Sequence, residues 1–282
     1  MSRLLAVSDL HVRYPENRAV AERLAGEPED WLIVAGDVAE QVGDTIATLE
    51  ALARRFAQVI WVPGNHELWT RTKDPVDLRG EHRYRHLVER CRDIGVLTPE
   101  DPFPVFAGHV VAPLFLLYDY SFTAEGQTPQ EGLEAAYRAG VVCTDEQLLH
   151  PDPYPTRQAW CAARVAESRR RLDALDPELP TVLVNHWPMT RLPTRVLRHP
   201  EFAVWCGTTA TADWHVRYRA AAVVYGHLHI PRVTYEEGTR FLEVSLGYPR
   251  EWKPRIDRLG DPEEVLPRVV LPAPDTDYGI RP

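Results

Sequence analysis

An α/β fold built on parallel strands is what the 282-residue sequence predicts, on three observations. Short apolar runs rich in β-branched residues recur at 4–7, 31–35, 59–62, 181–184 and 221–225. Helical periodicity fills the spaces between the first three, and the order strand, helix, strand, helix, strand implies parallel neighbours joined by right-handed crossovers. Every run stops at a turn or small polar residue and then delivers a carboxylate, an amide or an imidazole. In parallel sheets ligands gather at the carboxyl ends of the strands, so these ends are the place to look for chemistry.

The first run ends in Ser8-Asp9-Leu10-His11, and Asp9 and His11, two apart on extended backbone, point to one side. Residues 15–26 read as a helix, with Pro15 suited to its first turn. The 31–35 run ends in Gly36-Asp37, where the glycine permits close backbone approach. A helix from Thr45 puts Ile46, Leu49, Ala53 and Phe56 on one face. The 59–62 run ends in Pro63-Gly64-Asn65-His66-Glu67 and presents three polar side chains at once.

Between residues 68 and 176 the character changes. An amphipathic helix is expected over 81–94, with Tyr84, Leu87, Val88, Cys91 and Ile94 on one face. A long helix is expected over 156–175, its Arg169-Arg170-Arg171 cluster read as a solvated face. The aromatic stretch 115–122 and proline-rich loops suggest part sheet and part wall of a site. Strands resume at 181–184, which ends in Asn185-His186, and at 221–225, which ends in Gly226-His227-Leu228-His229. Residues 240–245 alternate as one more strand. Prolines then recur at 254, 262, 267, 272 and 274, so 254–282 is expected to be a surface arm or partly disordered tail behind a single domain of residues 1–253.

Composition bounds the function. A hydrophobic content of 44% suits one globular core, and a net charge of -9 provides no basic excess for non-specific binding to nucleic acid. No apolar run reaches membrane length. Cys91, Cys143, Cys161 and Cys206 lack pair spacing, which suggests reduced thiols in a cytoplasmic protein.

Collected at the five strand ends are Asp9, His11, Asp37, Asn65, His66, His186, His227 and His229. Any one of them has an ordinary account as a cap or a solvated loop residue. Carboxylates and imidazoles converging on one edge need cations, and two divalent metals would satisfy them. Mixed oxygen and nitrogen donors suit manganese, iron or zinc better than calcium, and the lack of cysteine speaks against a closed structural zinc site.

In order and in strand context, Asp9-x-His11, Gly36-Asp37, Gly64-Asn65-His66-Glu67, His186 and Gly226-His227-x-His229 resemble the five motifs of the calcineurin-like metallophosphoesterases. The resemblance implies a four-layer fold, two mixed β-sheets flanked by helices. It implies that Asp9, His11, Asp37 and His229 hold one metal, and that Asp37 (bridging), Asn65, His186 and His227 hold the other, with manganese and iron favoured and zinc the alternative. It further implies that His66 is no ligand but, with Asp37, belongs to the catalytic machinery and protonates the leaving group, oriented through Glu67 or Asp37.

The protein Ser/Thr phosphatase branch carries an arginine in the extension after its Gly-Asp motif, whereas Val38-Ala39-Glu40-Gln41 follows here. Segments 30–40, 59–69, 115–122, 201–214 and 244–252 are similar to the actinobacterial 4′-phosphopantetheinyl hydrolases. That implies a phosphodiesterase releasing 4′-phosphopantetheine from acyl or peptidyl carrier proteins. The alternatives are an esterase of nucleotides or other small molecules, and a binding module without catalysis, which full occupancy of the ligand positions disfavours. Carrier proteins are acidic, so Arg191 and Arg195, with Arg198 and His199, are candidate contacts; the other account is a solubilised loop. Tyr118 and Tyr120, with Asp119 and Trp205, are candidates for a pantetheine channel, with core packing as the alternative. Oligomeric state is left open.

Overall fold

The structure is a computed structural model and describes residues 2–278. Among them are ten strands: β1 (Leu4–Val7), β2 (Trp31–Val34), β3 (Gln58–Trp61), β4 (Val105–Phe106), β5 (His109–Pro113), β6 (Thr181–Val184), β7 (Ala220–Tyr225), β8 (Arg232–Glu236), β9 (Thr239–Glu243) and β10 (Arg268–Leu271). One sheet has the order β10-β1-β2-β3 and the other β4-β5-β6-β7-β9-β8. Each is mixed. β1, β2 and β3 are parallel and in step, Val7 beside Val34 and Val34 beside Trp61, while β10 runs antiparallel to β1. β5, β6, β7 and β9 are parallel, with antiparallel β4 and β8 at the edges.

Period-two alternation explains the layering. Leu4, Ala6, Ile33, Ile60, Val182, Val184, Ala222 and Val224 form one buried cluster, the layer between the two sheets. Their strand neighbours Leu5, Val7, Leu32, Val34, Val59, Trp61, Leu183 and Val223 belong to a second cluster that includes helix residues. Strands buried on both faces must read as continuous apolar runs, and these do. The result is the expected four-layer arrangement of two mixed sheets flanked by helices. The sheets meet at their carboxyl ends, where Ser8 bridges to Ser245, so ligands from both reach one place.

The helices fall close to expectation: Pro15–Arg23, Val42–Ala53, Gly80–Asp93 and Arg157–Leu172. No helix among the described residues is long and apolar enough to cross a membrane. Of the arginine cluster, Arg170 is solvated and pairs with Glu167, but Arg171 is tied to the carbonyls of Pro99 and Asp101. Two readings need correction. Residues 114–119 carry no regular structure although 114–118 are buried; the sheet in this region is β4 and β5 instead. And 254–278 is not only a surface arm. Short helices lead into β10, whose Val270 and Leu271 are buried against β1. Residues 279–282 of that arm lie outside the described residues.

Candidate metal centre

The strand ends converge as the motif spacing requires. Asp9 Oδ1 lies 3.0 Å from His229 Nε2, and His11 Nε2 lies 3.2 Å from the same nitrogen. With Asp37, these residues offer four ligand atoms all within 4.8 Å of one another. Beside them, Asn65 Oδ1 is 3.2 Å from His186 Nε2 and 3.2 Å from His227 Nδ1. His186 Nε2 is 3.5 Å from Asp37 Oδ2, which makes Asp37 the link between the two groups.

Backbone strain accompanies this convergence. Asp9, His11, Asp37, His227 and His229 have φ of 53°, 42°, 55°, 71° and 54°, the left-handed region that residues with a Cβ rarely occupy. Leaving the strand in this conformation turns each side chain back over the sheet edge. Two glycines make room. A Cβ on Gly64 would sit 2.1 Å from Asp37 Oδ1, and one on Gly226 would sit 2.2 Å from Asp9 Oδ2.

Hydrogen bonds hold the donors in place. Asp9 Oδ2 accepts from Ser8 Oγ at 2.5 Å and Ser245 Oγ at 2.8 Å, leaving Oδ1 for the cluster. His186 Nδ1 donates to the Ala35 carbonyl at 2.8 Å, which turns Nε2 inward. His229 Nδ1 contacts Glu251 Oε2 at 2.7 Å. Asn65 Nδ2 donates to Asp145 Oδ1 at 2.9 Å, so its oxygen faces the histidines. Partners of this kind fix tautomer and ring orientation around a metal.

Electrostatics suit cations. Asp9 and Asp37 are buried, and among the described residues their only ion-pair partners are histidines. Burial and the neighbouring imidazoles keep His11 and His227 neutral, the latter with its pKa pushed down to about 3. Burial also opposes charge on His186 and His229, but Asp37 and Asp9 outweigh it and raise both, His186 to about 9. Metal ligation needs these imidazoles neutral, so binding depends on pH. His227 Nε2 and His66 Nδ1 are buried without a hydrogen-bond partner. Carboxylate, amide and imidazole donors with such open valences fit a dinuclear metal site.

His66 is set slightly apart. Its Nε2 lies 3.7 Å from Asp37 Oδ2, and its ring packs 3.6 Å, centroid to centroid, from Trp69. The backbone N–H of His66 donates to Asp37 Oδ1 at 2.9 Å. Glu67 does not touch the ring; its carboxylate accepts the backbone N–H groups of Asp37, Val38 and Gly64 and so clamps two strand ends together. Sequence reasoning missed two neighbours. Glu40 Oε1 lies 3.7 Å from His66 Nδ1, and the Tyr248 hydroxyl lies 3.3 Å from Nε2 while the Tyr248 ring stacks on His11. Glu40 follows Asp37 by only three residues and was visible. Tyr248, Glu251 and Asp145 arrive through tertiary contacts and carried no spacing signal.

The candidate substrate residues separate. A cavity of about 430 Å³ adjoins the cluster at His229 and is lined in part by Arg198, His199, Phe202 and Arg255. Arg191 and Arg195 are exposed nearby in the chain but do not line it. Tyr118 and Tyr120 do not line it either. Both are buried, as is Trp205, and Asp119 accepts a hydrogen bond from Thr208.

A family model for calcineurin-like phosphoesterases matches residues 2–231. The acyl-carrier-protein phosphodiesterase PptH of Mycobacterium tuberculosis is 57% identical over 277 residues, 96% of this chain and 84% of that protein. The crystal structure of the phosphopantetheinyl hydrolase PptH from M. tuberculosis is similar with a TM-score of 0.92 at 53% identity, covering 99% of each chain. The match over residues 2–231 takes in all the strand-end motifs, and the chain belongs to the calcineurin-like phosphoesterase family.

Proposed function

We propose that this protein hydrolyses the phosphodiester joining 4′-phosphopantetheine to the serine of a holo carrier protein and so regenerates the apo carrier. The observation that carries this reading is the 57% identity to an acyl-carrier-protein phosphodiesterase across 96% of the chain, far beyond the motifs that any phosphoesterase of the family shares. We assign Asp9, His11, Asp37 and His229 to one metal, and Asp37, Asn65, His186 and His227 to the other. The mutual proximity of the first four donors supports the division. Manganese and iron suit these mixed donors, with zinc as the alternative. The four free cysteines support a cytoplasmic setting, where carrier proteins would be met.

Two such ions, when bound, supply Lewis acidity toward phosphoryl oxygens and a more acidic water. The chain's own groups do the rest. A water oxygen joins phosphorus as the bond from phosphorus to the serine oxygen breaks, and that oxygen needs a proton. His66, held over the cluster edge by Asp37 and Trp69, is the donor. The Tyr248 hydroxyl beside it stays protonated, since burial and the Asp37 and Glu251 carboxylates raise its pKa, so it can donate a hydrogen bond to the phosphate.

Intact mass spectrometry of a holo carrier incubated with the manganese-loaded protein tests this reading. The expected result is loss of the whole phosphopantetheine arm, slowed about 10²–10⁴-fold by His66→Ala. Intact holo carriers alongside turnover of bis(p-nitrophenyl) phosphate would keep a phosphoesterase and remove the carrier substrate, leaving a small-molecule esterase.

A further inference from the structure

Two cavities lie beside the metal cluster, one reached through Glu40 next to His66 and one at His229. One, of about 260 Å³, is lined by Arg13, Glu40, Asp44, Arg71 and Lys73 and meets His66 through Glu40. Arg13 and Arg71 both pair with that same Glu40. The other, of about 430 Å³, has Val142, Phe202, Leu228 and Ile230 on its walls together with the polar groups of Arg198, His199, Glu251 and Arg255. It reaches His229 directly, and the Phe202 ring is stacked 6.0 Å from that of His227.

The reaction makes the two ends of the substrate unequal. The serine oxygen leaves and must lie within reach of a proton donor, whereas the pantetheine stays on phosphorus. With His66 as donor, the serine sits on the His66 side, beside the charged cavity. The retained arm must point elsewhere. It is a neutral chain of methylenes and amides, and the second cavity offers it four large apolar side chains, whereas the first is lined by charged and polar side chains alone. Val142 adds an independent observation. At 71% it is the most exposed of the large apolar side chains among the described residues, and it stands on this cavity. A ligand in the cavity would cover it.

We propose that the cavity bounded by Val142, Phe202, Leu228 and Ile230 binds the pantetheine arm. This deepens the carrier-protein reading and rests on it for the direction of the substrate. Calorimetric titration of the manganese-loaded protein with free 4′-phosphopantetheine and, separately, with inorganic phosphate is the test. The arm should tighten binding by about tenfold over phosphate, and Val142→Trp, which adds bulk to the cavity lining, should erase that difference. Because Val142 is exposed, the variant should melt with the parent protein. Equal affinities for the two ligands, or a difference that survives Val142→Trp, would overturn the assignment. The carrier assay separates the two claims. Arm release from a holo carrier without any preference for 4′-phosphopantetheine sinks the cavity assignment alone, and the preference without arm release sinks the carrier reading alone.

Discussion

Apart from the turn residues Ala107, Arg219 and Glu237, left-handed backbone at non-glycine residues falls in two regions among the described residues, with opposite consequences. At the strand ends, Asp9, His11, Asp37, His227 and His229 adopt it; the ligand atoms of Asp9, His11, Asp37 and His229 meet, and His227 Nε2 is left without a hydrogen-bond partner. In the segment after β5, Leu117 and Tyr120 adopt it as well, with φ of 60° and 64°, yet their side chains go into the core. The Tyr120 hydroxyl donates to Glu146 at 2.7 Å and accepts from Arg157 at 3.0 Å; Arg157 and Trp205 also donate to Glu146. That network is closed. Strain therefore marks chemistry only where it delivers polar groups that the protein itself leaves incomplete. Where the partners are all present, the same strain builds scaffold. Tyr118, whose buried hydroxyl has no partner, is the one loose end there.

The sharpest way to break this comparison is at Asp37, the proposed shared ligand. Asp37→Ala should lower turnover at least about 10³-fold, as befits loss of the groups that stabilise transition-state charge. Elemental analysis of the purified variant should find both metals depleted while circular dichroism keeps the parent spectrum, because the Asp37 side chain meets the His66 backbone and the site histidines and not the apolar core. Retention of two metals by the variant would show that Asp37 is not the bridge.

Legibility in the sequence followed the same division. The metal-ligand candidates were readable because each sits within four residues of a strand's end, and a strand buried on both faces announces itself as an apolar run. His186, for example, follows four consecutive buried residues of β6. Glu251 was not readable. It reaches His229 from 22 residues away on a short helix whose first turn it also caps, and nothing local marks it. Asp145 lies 80 residues from the amide it orients. β10 was hidden by Pro267 and Pro272, which bracket its four residues and give the whole arm the composition of a loop. The aromatic segment misled for a simpler reason. Tyr118 and Tyr120 next to Asp119 look like a channel wall, and burial is a tertiary property that side-chain type does not reveal.

Tyr120→Phe sharpens the scaffold half of the comparison. Removing the hydroxyl leaves Glu146 and Arg157 each short of one partner, so chemical denaturation should find about 1–3 kcal/mol less stability. If instead stability held and the KM for a holo carrier rose, Tyr120 would return to the substrate channel that its sequence context suggests.

The smallest expected effect lies in the same half, at Glu100. This carboxylate joins two helices: it accepts from Tyr84 at 2.7 Å and Arg164 at 2.6 Å, and Arg85 pairs with it at 2.8 Å. Burial opposes its charge, but Arg164, the Tyr84 hydroxyl and Arg85 prevail and lower its pKa to about 2. A carboxylate held lower in the folded state than in the unfolded one stabilises the fold above its unfolded pKa, and that stabilisation fades as pH falls toward the folded value. Between pH 5 and pH 4 the loss from this single group is about 0.7 kcal/mol. Glu100→Gln should flatten the stability profile by that amount over that interval, read from urea midpoints at each pH. An unchanged slope would mean that Glu100 titrates at its ordinary value in the folded protein, and that the arginine contacts around it contribute packing and not charge.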